Sequence, residues 1–198
     1  MDISFYKQIK SWAEEIDGVF MIQDLRVAFN KISSASMYRE LKVLEESGDL
    51  IRIKRGCYAT LDAKLSAISA RICPDSYIST GTVLAAHKAI GSIPAHRIQA
   101  VKIGSPTSYT CQLGTIEYLS IAPKLFFGFD RKDNGNWTTL EKAYLDACYF
   151  YYKRRRFSFN IDVDVDRSLL SHKVIKQYLK KYDRRFSSFY QDNFGERE

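Results

Sequence analysis

Apolar positions recur at two periods along this chain, and the alternation between the periods marks out the elements. Ile9, Trp12, Ala13 and Ile16 stand at helical spacing with Lys7, Lys10, Glu14 and Glu15 between them, which predicts a helix over Ile3 to Ile16 ended by Asp17-Gly18. Val19-Phe20-Met21 is a short strand candidate, and Leu25 and Phe29 lie one turn apart in a second short helix from Asp24. Ser33 or Ser34 offers an N-cap for a third helix that runs to about Ser47, with Gly48 as its stop. At about 100° per residue, Met37, Leu41 and Leu44 form its apolar stripe. Ala35, Ser36, Arg39, Lys42, Val43 and Glu46 then face the other way. Leu50, Ile51 and Ile53 precede a turn at Lys54-Arg55-Gly56, and Cys57-Tyr58-Ala59 returns as the partner strand, which sets Arg52 on the face opposite Ile51 and Ile53.

Beyond residue 62 the same reading gives a helix over Asp62 to Ile72, a strand at Ser76 to Ser79, and a small-residue helix over Gly81 to Ile90. Strands follow at Ile98 to Ile103, Tyr109 to Leu113, Thr115 to Ile121 and Leu125 to Phe129. Thr138-Thr139-Leu140-Glu141 fits a capping box, and Leu140, Ala143, Tyr144, Ala147, Cys148 and Tyr151 make the stripe of the helix behind it. Lys153 to Arg156 close that helix with cations. Phe157, Phe159, Ile161, Val163 and Val165 alternate with polar residues, which predicts a strand carrying Asp162, Asp164 and Asp166 on one wet face. Val174, Ile175, Tyr178, Leu179 and Tyr182 define a last amphipathic helix from Ser171, and Phe186, Phe189, Tyr190 and Phe194 extend an aromatic surface to the end. The fold class expected is α+β, with a three-helix and hairpin unit over 1–62 and a mixed α/β domain over 63–198.

Composition changes the picture in three places. In 198 residues no apolar run reaches the roughly 18–20 that a membrane span requires, and the N-terminus lacks the pattern of a signal peptide, so a cytoplasmic protein is expected. Cys57, Cys73, Cys111 and Cys148 are scattered singly, and His87, His96 and His172 have no metal-ligand spacing, so neither a disulfide framework nor a metal is expected. The net charge of +7 is uneven. Residues 1–62 hold 9 basic against 10 acidic side chains, and residues 150–198 hold 12 against 7.

Three helices followed by a hairpin with a cationic tip make the pattern of a winged helix-turn-helix. Small residues at the start of the third helix permit close approach to a major groove, and long cations beyond them reach phosphates or guanine edges. Ser34, Ala35, Ser36, Arg39 and Lys42 on the helix, with Arg52, Lys54 and Arg55 on the hairpin, are therefore the candidate DNA contacts. Arg154, Arg155, Lys176, Lys180 and Arg184 are candidates for docking an acidic partner or DNA backbone; a solvated basic face is the plainer reading of the same residues.

Gly48 to Tyr58, Pro74-Asp75-Ser76-Tyr77-Ile78-Ser79 before a helix ending at Gly91 and Ile93-Pro94, Pro123-Lys124-Leu125-Phe126-Phe127-Gly128, and Thr139-Leu140-Glu141-Lys142-Ala143-Tyr144-Leu145-Asp146 occur in the order of the landmarks of AbiEi-type antitoxins. The chain resembles that family over roughly residues 15–150. The resemblance implies a prokaryotic antitoxin of a type IV toxin–antitoxin system, often in phage defence. Its winged helix would repress its own promoter, and its C-terminal domain would counteract a nucleotidyltransferase-like toxin. It maps a DNA role onto Ser34 to Lys42 and Arg52 to Tyr58, and no motif maps antitoxicity. The nearly neutral first unit departs from a strongly basic DNA-binding surface, which binding to repeated sites would relieve. The competing reading is a winged-helix regulator with a ligand-sensing or dimerising second domain and no toxin.

No enzyme is expected. Gly104-Ser105 is followed only by Glu117, which does not supply the paired carboxylates of a nucleotidyltransferase. As a calcium loop the Asp162 segment fails, because Arg167 and Lys173 stand where glycine and glutamate are needed. No nucleophile elbow frames a serine, so no catalytic residue and no cofactor is expected.

Overall fold

The computed structural model describes residues 3–30, 32–91, 93, 96–132 and 135–195. It is a mixed α+β structure with two sheets. The first part runs α1 (Ile3–Glu15), β1 (Val19–Met21), α2 (Ile22–Ala28), α3 (Ser34–Glu46), β2 (Ile51–Lys54) and β3 (Cys57–Ala59). Ser33 caps α3 by accepting the Ser36 N–H, as its hydroxyl and position require. The strands assemble in the order β1-β3-β2, all antiparallel.

Alternation along these short strands sends side chains both ways, and both faces are covered. Phe20 and Tyr58 join Phe5, Ile9, Leu25, Phe29, Met37, Leu41, Leu44 and Leu50 in a core under the three helices. Val19, Ile51, Ile53, Cys57 and Ala59 point the other way and pack with Ala67, Ile68, Ala100, Ile116 and Tyr118. The boundary expected at residue 62 is thus crossed by a continuous apolar core.

The second part runs α4 (Leu65–Ile72), β4 (Ser76–Ile78), α5 (Thr80–Ala86), β5 (Arg97–Lys102), β6 (Thr107–Cys111), β7 (Gly114–Ser120), β8 (Phe129–Lys132), β9 (Gly135–Thr138), α6 (Leu140–Tyr152), α7 (His172–Leu179) and α8 (Arg184–Phe194). Its sheet has the order β6-β7-β5-β4-β9-β8, with β5–β7 and β4–β9 parallel and the other pairs antiparallel. Tyr77, Val101 and Leu119, aligned across three strands, face α5 and α6. Ala100, Ile116 and Tyr118 face α4 and the smaller sheet. Tyr118 donates a 2.9 Å hydrogen bond to the Ser69 carbonyl and so ties β7 to α4.

Several expected elements differ, each for a local reason. Residues 157–165 form no strand: Asp164 accepts the Asn160 N–H and Asn160 accepts the Asp162 N–H, local bonds that compete with a sheet ladder. Ile161 and Val165 are buried there, but Val163 is 75% exposed, so the two-residue alternation does not follow burial and the three aspartates do not share a strand face. The strand expected at Leu125 to Phe129 is a 3-10 turn over Pro123–Leu125, and the strand begins only at Phe129, after Gly128 at φ +75°. The small-residue helix stops at Ala86, because Lys88 turns to φ +58°. Thr139, not Thr138, caps α6 by accepting the Lys142 N–H, and Glu141 accepts the Ser171 N–H instead of closing a capping box. The final helical stretch is split at Asp183, which caps α8. Phe186, Tyr190 and Phe194 are buried, so these aromatics are core and not an extended surface. Pro94, which figured in the sequence patterns, lies outside the described residues.

The centre of this second core is polar. Lys142 and Asp146, one turn apart on α6, are ion-paired with both side chains 0% exposed. The Lys142 ammonium lies 4.7 Å from the Phe127 ring centre and 5.6 Å from those of Tyr77 and Tyr182, and it donates to the Tyr182 hydroxyl at 3.2 Å. Ser79 donates to Asp146 at 2.8 Å, which binds the start of α5 to α6. Burial pushes the Lys142 ammonium down and the Asp146 carboxyl up in pKa, against the attraction between them. Removing one partner strands the other charge among aromatic rings, whereas removing both does not. Asp146→Ala is expected to lose about 3–5 kcal/mol in urea unfolding, and Lys142→Met with Asp146→Leu to recover most of that loss.

Candidate nucleic-acid interface

With Met37, Leu41 and Leu44 buried, α3 presents Ser34, Ala35, Tyr38, Arg39 and Lys42 outward, and Ser36 is half-buried under the cap. Along β2, Arg52 is exposed between the buried Ile51 and Ile53, as the two-residue period requires. Lys42 and Arg52 meet at a hollow of about 430 Å³ between α3 and β2, which Tyr38, Tyr58, Glu45 and Glu46 also line. Lys42 lies 3.6 Å from Glu46 across a solvent-exposed pair, so its charge is partly answered within its own helix. Burial raises the Tyr58 pKa, and the Arg52 charge opposes that shift.

The hairpin is short and tied down. Gly56 takes φ +76° at its turn, and its carbonyl accepts the Ile22 N–H at 2.8 Å. Lys54 does not extend from the tip. Its ammonium stands 5.4 Å from the ring centre of Tyr109 on β6. Arg55 is exposed at the turn. Asp24 at the start of α2 is ion-paired with Arg71 of α4, a second tie between the two parts. Thus Lys42 and Arg52 come together with Tyr38, Arg39 and Arg55 stay exposed, and Lys54 turns toward the larger sheet. Tyr38, 44% exposed, was missed by sequence reasoning; its place one turn before Lys42 on the polar face was the available signal.

The C-terminal cations divide in a similar way. Arg155 is ion-paired with Glu117, which also accepts from Gln99 at 3.1 Å, and Gln99 accepts from Thr80 at 2.7 Å. Arg154 is exposed at φ +67° beyond the end of α6. Lys180 caps the end of α7 and Arg184 opens α8, both exposed, and Lys176 lines a cavity between α7 and α8. Asp164 and Asp166 hold backbone N–H groups of their own loop. Among the described residues no three acidic, histidine or cysteine side chains converge as metal ligands. Burial pushes the Cys57 thiol up to about 11, which leaves it protonated and unreactive at neutral pH. Among the described residues no helix is long and apolar enough to cross a membrane.

Glu117 carries the clearest pH signature. Burial raises its pKa, but hydrogen bonds from Gln99 and Arg155, with the Arg155 charge, outweigh burial and hold it below the usual carboxylate value. A depressed folded pKa contributes stability that is present above the unfolded value, near 4.3, and is lost as pH falls through the folded one. Thermal melting between about pH 6 and pH 3 is therefore expected to show a steeper loss for the native chain than for Glu117→Gln, which starts lower at neutral pH.

No protein-family model matches this chain, and no curated protein matches it in sequence.

Proposed function

We propose that residues 3–59 act as a winged helix-turn-helix that sets α3 in the major groove of duplex DNA, and that the chain represses its own promoter. The observation that carries this reading is the exposed face of α3. Small residues at its start, then Tyr38, Arg39 and Lys42, with Arg52 beside them, are backed by a stripe buried so completely that the helix is held by its other side. The element order and the β1-β3-β2 sheet agree with that motif. The hairpin tip contributes less than the helix, because Lys54 is engaged at Tyr109.

The resemblance to AbiEi-type antitoxins extends the proposal to the second part of the chain, which would oppose a nucleotidyltransferase-like toxin. The exposed cations Arg154, Lys180 and Arg184 support a docking face there. Arg155, committed to Glu117, is better placed to hold the fold than to meet a partner.

Fluorescence anisotropy of the full chain on DNA from directly upstream of its gene, against a scrambled duplex at two salt concentrations, tests the DNA half. Preferential binding is expected, with Arg39→Ala weakening it and lowering the salt slope by roughly one unit if Arg39 holds a phosphate. Equal binding to both duplexes would remove the repressor reading. For the antitoxin half, co-expression with a neighbouring nucleotidyltransferase gene is expected to restore growth, and Arg154→Glu with Arg184→Glu to impair that rescue without changing the anisotropy.

A further inference from the structure

A cavity of about 540 Å³ lies between α6, α7, α8 and the loop that precedes α7. That volume falls in the range of small-molecule sites, which combine an apolar wall with a few convergent polar groups. Tyr144 of α6 is at its base and is 0% exposed. The Tyr190 and Phe194 rings stand edge-on to Tyr144, with centres at 6.2 Å and 6.5 Å. Arg167, His172 and Lys176 bring basic groups to the lining, and among the described residues Asp162 is its only carboxylate. Asp162 sits 3.6 Å from Arg167.

The Tyr144 hydroxyl is the telling group. It is buried and has no hydrogen-bond partner among the described residues. The Cys148 thiol, one turn along α6, interacts with it, and a thiol is a weak partner for a phenol. Buried polar groups without partners are uncommon and costly, and they mark places where something else supplies the bond. A buried phenol at the base of a cavity with a basic lining puts a donor for a polar ring edge close to cations for an anionic group.

We propose that this cavity binds a small organic phosphate with a planar ring. The phosphate would be held by Lys176 with His172, and the ring would pack against Tyr190 and accept a hydrogen bond from the Tyr144 hydroxyl. A phosphate fits the lining better than a monocarboxylate. Arg167 is already engaged by the Phe194 carbonyl at 3.1 Å and by Asp162, so Lys176 is the leading cation, and a phosphate offers it and His172 more acceptor oxygens than a monocarboxylate does. The proposal concerns the second part of the chain and stands or falls separately from DNA binding.

Thermal shift and titration calorimetry on the full chain, with the 5′-monophosphates of adenosine, guanosine, cytidine and uridine, test it. Inorganic phosphate and the unphosphorylated nucleosides serve as separate arms. At least one monophosphate is expected to raise the melting temperature and to bind more tightly than inorganic phosphate or its own nucleoside. Lys176→Ala, an exposed change, is expected to weaken that binding about tenfold with the unliganded melting temperature unchanged. Tyr144→Phe is expected to raise the unliganded melting temperature by about 2 °C, because it removes an orphan hydroxyl, while it weakens binding. That opposite movement of stability and affinity is what a purely structural tyrosine would not give. The proposal is overturned if no monophosphate binds, if inorganic phosphate binds equally well, if Lys176→Ala binds like the native chain, or if Tyr144→Phe melts lower.

Discussion

The three-stranded sheet of the first part is only three or four residues deep, and it has no free apolar face. That constraint organises the molecule. Cys57 and Ala59 leave β3 on one side and Tyr58 on the other, all three buried, so the strand serves two cores at once. A sheet this small does not hold independently in water, and it becomes stable by being sandwiched. On one side are α1, α2 and α3. On the other are α4 and the face of the larger sheet that carries Ala100, Ile116 and Tyr118. The hairpin of the first part is therefore also a packing element of the second, and Lys54 above Tyr109 marks the place where its charge is drawn inward.

The far face of the larger sheet is held by a different device. Thr80 takes φ +52°, an unfavourable conformation for a β-branched residue, immediately after Ser79. Neighbouring polar bonds hold it there: Ser79 donates to Asp146 and Thr80 to Gln99, which continues to Glu117 and Arg155. Two networks thus leave the same bend in opposite directions, one to the buried Lys142 pair and one toward the end of α6. Together they fix α5 and α6 against β4 and β5.

Much of this was legible in the sequence. The periodicity of the first sixty residues gave every helix and strand there to within a few positions, because the elements are short, α3 is capped by Ser33, and Gly18, Gly48 and Gly56 break the chain between most of them. The α3 stripe of Met37, Leu41 and Leu44 is buried as its spacing requires. The segment over 157–165 misled because alternation is only a pattern of side chains: Asn160 and Asp164 satisfy the backbone locally, and no neighbouring strand is needed. Nor does sequence show that Lys54 and Arg155 have partners 55 and 38 positions away, in Tyr109 and Glu117. A cation's candidacy for a partner depends on such long-range contacts, which periodicity does not carry. The orphan hydroxyl of Tyr144 is hidden for the same reason, since the residue reads as one more position in the apolar stripe of α6.

These placements bear on how the proposed DNA reading would work. The first 62 residues carry no excess of positive charge, Lys42 is paired with Glu46, and Lys54 is turned away, so among the described residues Arg39, Arg52 and Arg55 are the exposed arginines of α3 and the hairpin. Affinity for duplex DNA scales with the number of phosphates neutralised, and few cations give a weak single contact with a shallow salt dependence. A repressor built in this way gains occupancy by binding adjacent sites together, where each copy adds its modest contact at high effective concentration. The rigid core shared by the two parts favours that arrangement, because it would fix the spacing between α3 and any surface of the second part that touches a neighbouring copy. The burial of both sheet faces, which limits the reach of the hairpin, would then be the feature that sets the geometry of assembly on DNA.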